Sequence, residues 1–193
     1  MKKYLLVIAI IGSFISCKKD NDPEPASNDL KIGTEWVYKY TDYDVSGSVV
    51  STTNVSLKIT GQQTLLGKDW WVASGPNGPE YMRKEADGYY TIRNNVSQLD
   101  FKVPAAINDT WRKTYSSNPG DYGDLKVLAL NQDVTVPMGT ISCYYAEETD
   151  SNSFEGKVWY NDANMVVKQM EYDQDGTGAL YVDFTLELVS FTP

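Results

Sequence analysis

Histidine is absent from the 193-residue chain, so acid–base work would fall to carboxylates, lysine and tyrosine. The same absence excludes Ser-His-Asp and Cys-His nucleophiles and the common zinc sites. Asp42, Asp44, Glu147, Glu148, Asp150 and Glu155 are candidates for a carboxylate pair of the glycosidase kind. That chemistry depends on a separation set by the fold, which sequence spacing does not supply. With 26 acids in the chain, close carboxylates also arise by chance, and solvated charges on strand faces and turns are the plainer reading. No residue is assigned a catalytic role, no metal site is expected, and no motif points to a cofactor.

Asp173-Gln174-Asp175-Gly176-Thr177-Gly178 matches the opening of a calcium loop, but the twelfth position, where a bidentate glutamate belongs, is Phe184. A tight hairpin turn is the expectation there. The most informative residues are four adjacent aromatic pairs, Trp70-Trp71, Tyr89-Tyr90, Tyr144-Tyr145 and Trp159-Tyr160. On a strand, neighbours point to opposite faces, so each pair places a ring on both sides of a sheet. These eight residues are the candidate ligand-binding set, because Trp and Tyr suit sugar rings, lipid tails or a protein partner. The competing reading packs one ring of each pair in the core and uses the other in cross-strand pairing.

The elements that would position these side chains are strands. Leu180 to Leu188 alternates apolar and polar, and Val55-Ser56-Leu57-Lys58-Ile59 repeats the pattern. Further strands are expected at Glu35–Tyr43, Trp70–Ser74, Tyr81–Lys84, Tyr89–Arg93, Trp111–Tyr115, Leu125–Leu130, Thr140–Glu147, Lys157–Tyr160 and Met165–Tyr172. Asn77-Gly78, Asp87-Gly88, Asn161-Asp162-Ala163-Asn164 and Asp173-Gln174-Asp175-Gly176 are the turns. No sustained helical stripe is present, so the expected fold is all-β: a single antiparallel meander forming a strongly curved sheet or half-barrel. One short helical turn is allowed at Ala105–Asp109.

The N-terminus reads differently. Lys2-Lys3 followed by the apolar run Tyr4–Ile11 has the form of a signal peptide, and the run is too short for a permanent membrane span. Phe14-Ile15-Ser16-Cys17 resembles the lipobox of bacterial lipoproteins, with Phe14 where leucine is usual. That resemblance implies cleavage before Cys17, acylation of Cys17 and an outer membrane lipoprotein facing the periplasm or the surface. Residues 17–29, with two prolines and almost no apolar side chain, read as a disordered tether, and residues 30–193 as one β domain. Cleavage removes two lysines and no acids, taking the formal charge from −9 to −11. Such a surface repels phosphate backbones, so nucleic acid is not an expected partner. With Cys17 acylated, Cys143 has no disulfide partner and is expected to be buried.

Val136-Pro137-Met138-Gly139-Thr140-Ile141-Ser142-Cys143-Tyr144-Tyr145, then Val158-Trp159-Tyr160 and Val166-Val167-Lys168-Gln169, resemble uncharacterised envelope proteins related to the lipoprotein-carrier (LolA/LolB-like) fold. The opening Gly33-Thr34-Glu35-Trp36-Val37-Tyr38-Lys39-Tyr40 fits the same pattern. Asn164-Met165 stands where that family has a glycine, and Asn can also take the left-handed conformation. The resemblance implies a curved antiparallel sheet and no activity. Three readings follow. The first is a non-catalytic envelope protein holding an apolar or lipid-like ligand on the concave face, the second a glycan- or protein-binding surface module, and the third a carboxylate hydrolase. Expected partners are the membrane through Cys17 and an apolar small molecule, a glycan or an envelope protein.

Overall fold

Two-residue periodicity becomes strand throughout the computed structural model, which describes residues 30–115, 122–150 and 153–193, with backbone alone at 150 and 153–155. The segments expected to be signal peptide and tether, with Cys17, lie outside the described residues. Twelve strands follow one another: β1 (Glu35–Tyr43), β2 (Val49–Leu65), β3 (Lys68–Gly75), β4 (Gly78–Glu85), β5 (Gly88–Arg93) and β6 (Val96–Lys102). The second half comprises β7 (Thr110–Thr114), β8 (Tyr122–Val136), β9 (Gly139–Asp150), β10 (Ser153–Asn161), β11 (Met165–Gln174) and β12 (Leu180–Thr192). Every pairing is antiparallel, and the sheet order is β6-β5-β4-β3-β2-β1-β12-β11-β10-β9-β8-β7. The expected all-β meander is therefore the fold. No helix forms among the described residues, and residues 105–109 are a loop with one hydrogen-bonded turn, Asp109 N donating to Ala106 O.

Two details depart from the sequence expectation. Strand β6 was not foreseen, because its turn is Asn94-Asn95, both at positive φ (52° and 60°), a pair that forms a two-residue hairpin without glycine. At the β10–β11 turn the left-handed residue is Met165 (φ 56°), not Asn164. Asn164 N–H instead donates to Asn161 Oδ1 at 2.7 Å.

The curvature carries the sheet almost into a closed barrel. Strands β6 and β7 end the sheet order, yet side chains tie them together where a backbone ladder would otherwise run. Gln98 mimics a strand: its Oε1 accepts from Thr114 N at 3.0 Å and its Nε2 donates to Thr114 O at 3.2 Å. Trp111 Nε1 donates to Asp100 O at 3.0 Å, and Lys113 pairs with Asp100 at 3.0 Å across the same seam. Two open edges are thereby occupied, which removes the usual template for edge-to-edge association. Replacing Gln98 with Ala leaves the Thr114 N–H and C=O without these partners and is expected to destabilise by about 1–3 kcal/mol. Hydrogen exchange should then accelerate at Thr114 well before it does at β1 or β12.

Connections of a meander alternate between two ends. At the base, where β1 begins, loops knit together: Tyr89 Oη donates to Asp162 O at 2.8 Å, and Met138 N donates to Leu188 O at 3.1 Å. The β6–β7 loop pairs with β8 there, through Asn108 N to Val127 O and Val127 N to Asp109 O, both 2.9 Å. The interior near the base is filled by aromatic packing. Tyr160 sits between Phe101 (5.2 Å between centroids), Tyr144 (5.4 Å) and Trp111 (6.2 Å).

Candidate functional site

Antiparallel partners in register share a face, so ladders trace rows around the barrel. Trp111, Leu125 and Glu148 are in register across β7, β8 and β9. Trp111 and Leu125 are core residues, so Glu148 also points inward, and Glu147 points out. Lys113, two residues beyond Trp111, shares the inner face and is in register with Gly123. Glycine matters at that position, because a Cβ on Gly123 would lie 2.1 Å from Glu148 Oε1 and 2.7 Å from Tyr115 Oη. The missing side chain is the space into which the Glu148 carboxyl folds.

The mouth half of the interior is thus charged where the base half is aromatic. Lys113 is 8% exposed, pairs with Asp100 and sets its Nζ 4.3 Å from the Phe101 ring centroid. That geometry satisfies the ammonium by charge and by ring face. Glu148 is 7% exposed, and its Oε1 is buried with no hydrogen-bond partner. Burial pushes its carboxyl above the usual range, Lys113 and Arg93 oppose the shift, and Asp100 adds to it. Thr91, 9% exposed on β5, also carries a buried hydroxyl without a partner. It is in register with Gln98 of the seam and two residues from Arg93. Arg93 and Glu80 keep solvent contact at the mouth. Glu80 is nevertheless surrounded closely enough for its carboxyl to be raised, with Arg93 opposing.

Among the described residues the predicted carboxylates do not assemble into a pair. Asp42 accepts from Ser51 Oγ at 2.6 Å, Asp44 Oδ1 caps the β1–β2 turn by accepting from Ser46 N and Ser48 N, and Glu147 accepts from Tyr145 Oη at 2.6 Å. The side chains of Asp150 and Glu155 lie outside the described residues. Of the four whose side chains are described, Glu148 enters the interior cluster, beside Asp100 and Lys113, which the sequence did not single out. Gly123, an isolated glycine in a β pattern, was the available signal of close approach. Among the described residues no group of three or more acidic, His or Cys side chains is arranged to hold a metal ion. The Asp173–Gly178 segment is a hairpin turn, in which Asp175 Oδ1 accepts from Thr177 N, Thr177 Oγ1 and Ala179 N.

The aromatic pairs do split across the sheet. Tyr144 and Tyr160 join the inner cluster, and Tyr145 and Trp159 stack on the other face with centroids 5.0 Å apart. That outer row continues through Lys168, Glu187 and Lys39, where one carboxylate bridges two ammonium groups at 2.9 and 2.7 Å. Tyr89 is buried, whereas Tyr90 donates its hydroxyl to Asp87 at 2.9 Å. Trp71 packs against the core, and Trp70 is buried apart from it, its Nε1 donating to Leu65 O at 2.9 Å with Arg83 over its ring. The eight residues therefore do not converge on one platform. Cys143 is buried, and its thiol is pushed up to about 12, chiefly by desolvation, with Asp133 adding to it. An apolar cleft of about 380 Å³ opens separately beside the β1–β2 turn, between Tyr43, Val45, Met170, Tyr181 and Val182.

No family model matches the chain, and no curated protein matches it. A solved structure from Bacteroides fragilis NCTC 9343, inferred to be an exported protein and described as having a YmcC-like fold, is similar at 12% identity and a TM-score of 0.45. The match covers 84% of this chain and 97% of that one. A likeness of this looseness carries no functional information.

Proposed function

We propose that the chain is a lipid-anchored, non-catalytic binding protein of the cell envelope that holds a small ligand in the charged half of its concave interior. The observation that carries this reading is the Glu148 carboxyl, buried with one oxygen unpartnered although the fold has set Gly123 beside it. An unmade hydrogen bond at a buried group costs about 1–3 kcal/mol, and a ligand entering from the mouth would make it once the Glu148 carboxyl turns away from Gly123. Convergent polar groups at the mouth of a β-barrel, with a displaced titration, are the usual chemistry of a binding site. The support for anchoring is the N-terminal pattern ending in Ser16-Cys17.

An apolar or lipid-like ligand is a second reading, favoured by the cleft between Tyr43, Val45, Met170 and Val182, which is large enough for an acyl segment. The concave base is already occupied by Phe101, Tyr144, Tyr160 and Trp111, so an acyl chain would enter there only by displacing them.

Native mass spectrometry on the full chain purified from its host envelope separates these readings. A stoichiometric polar adduct that disappears in Glu148→Leu supports the interior site, whereas an adduct that survives that change and is lost in Met170→Asp moves the site to the cleft. A clean, folded apo mass argues against tight retention of either ligand. Replacing Cys17 with Ser is expected to move the protein from the membrane to the soluble fraction, and persistence in the membrane would refute the anchor.

A further inference from the structure

We infer that the outer half of β2 is the interface of a twofold-symmetric dimer, in which the open edge at residues 49–57 pairs antiparallel with the same edge of a second copy. The inference does not depend on the interior site. Strand β2 runs from Val49 to Leu65, and its two neighbours cover it unequally. It pairs with β1 from Val49 to Lys58, whereas β3 joins it only at Lys58, opposite Ser74, and follows it from there to Leu65. Between Val49 and Leu57 one side of the backbone therefore has no strand partner among the described residues. Where β3 turns away at Ser74-Gly75-Pro76, a notch of about 290 Å³ opens beside Asn54, Val55 and Ser56, in line with that edge.

Sheets usually guard an open edge with lysine, proline or a bulge. Apart from a bulge at Val50, beside the β1–β2 turn, this edge has no such guard. No charged residue and no proline stand between Asp44 and Lys58, while Val49, Val50, Thr52, Thr53 and Val55 are β-branched strand formers. Val49 and Val50 are 59% and 66% exposed, so a single copy leaves their apolar surface in water. The other edges are dealt with differently. Side chains close the seam between β6 and β7, and the overhanging β8–β9 hairpin carries Asp133 and is tied to β12 by Met138 N donating to Leu188 O.

A second copy suits the edge because the edge is complementary to itself. Antiparallel pairing about an axis near Thr52 and Thr53 brings the Val49 end of one copy to the Val55–Leu57 end of the other and sets threonine beside threonine at the axis, a favourable cross-strand pair. The flanking charges then meet with opposite sign, since Lys58 of each copy approaches the turn that Asp44 holds in the other. Lys58 also pairs with Glu35 at 3.4 Å, so the ladder is the main contribution. An uncharged strip matters for a chain of formal charge −9, because two copies meeting there avoid the like charges that most of the surface would bring together. Once joined, the two edges leave none for a third chain, and the assembly closes at two.

The test is sedimentation equilibrium of the purified full chain in density-matched detergent, which should give twice the protomer mass at about 10–100 µM. Thr53→Lys, a change at an exposed position, puts two ammonium groups at the axis. It should weaken dimerisation about tenfold or more and leave the near-ultraviolet circular dichroism of the protomer unchanged. In a Cys17→Ser background, with Cys143 buried, Thr52→Cys or Thr53→Cys should form an inter-chain disulfide on mild oxidation. Gln63→Cys, exposed on the stretch of β2 that β3 covers, should not. A protomer mass throughout that range overturns the inference and leaves the edge to a strand of another protein. A dimer that Thr53→Lys leaves intact, or cross-linking as efficient at Gln63 as at Thr52 and Thr53, overturns it by moving the contact elsewhere. None of these outcomes alters the reading of the interior site.

Discussion

Tyr160→Ala is expected to lower the unfolding free energy by about 3–5 kcal/mol, and Tyr160→Phe to leave it unchanged or raise it slightly. Tyr160 has no exposed surface and sits at the centre of the rings of Phe101, Tyr144 and Trp111, so truncation opens a cavity that three large neighbours cannot fill without leaving their own contacts. Its hydroxyl, by contrast, is buried without a partner and is desolvated for no return, which burial also signals by pushing the phenol above its ordinary value. Denaturant titration of the two variants reads both effects. A loss in Tyr160→Phe of more than 1 kcal/mol would mean that the hydroxyl has a partner in solution.

Lys113→Met carries the second large effect. It strands the Asp100 carboxylate in the interior and is expected to cost about 3 kcal/mol at neutral pH, most of it recovered when Asp100→Leu is added. Glu148 sets the sign of the accompanying pH dependence. Its folded-state titration lies above the ordinary value of 4.5, so the folded state holds the proton more firmly than the unfolded one. The stability contributed by Glu148 is fully present below pH 4.5 and is lost as pH rises from there through its raised value. Subtracting the profile of Glu148→Gln from that of the wild type should isolate this decline. In Lys113→Met the opposing charge is gone, and the decline should extend to higher pH. A flat difference profile between pH 4.5 and 7 would show that Glu148 titrates normally.

Legibility in the sequence followed the physics of each signal. Alternation of the kind in Leu180–Leu188 reports one dry face and one wet face, and it located β12 and β2 without their full lengths, since β12 runs on to Thr192 and Val55–Ile59 is only the middle of Val49–Leu65. Strand β6 was missed because Ser97 and Gln98 break its apolar pattern, and Gln98 is polar for a reason that no periodicity contains: it replaces a neighbouring strand at the seam. The same limit hid the site. Lys113 and Glu148 occupy inward positions of β7 and β9, where a pattern reader expects apolar residues and scores the charge as solvent-facing. Adjacent aromatics were read correctly as straddling the sheet, since i and i+1 on a strand must diverge, but which ring of each pair is covered depends on strands far away in sequence.

The sheet order has a consequence for how the chain reaches this shape. The seam closed only by side chains lies between β6 and β7, which are sequence neighbours, while β1 and β12, the two ends of the domain, are joined by a long ladder running from Glu35 opposite Thr192 to Asp42 opposite Phe184. Hairpins on either side can form locally and early, but the joint between the two halves requires the first and last strands to find each other across the whole length of the domain. That non-local closure carries a large loop entropy and is expected to set the slow step of folding. Opened instead in the loop at 103–109 and joined through Glu35 and Thr192, the same twelve strands would lie in the sheet in the order in which they are synthesised, and no such encounter would be needed.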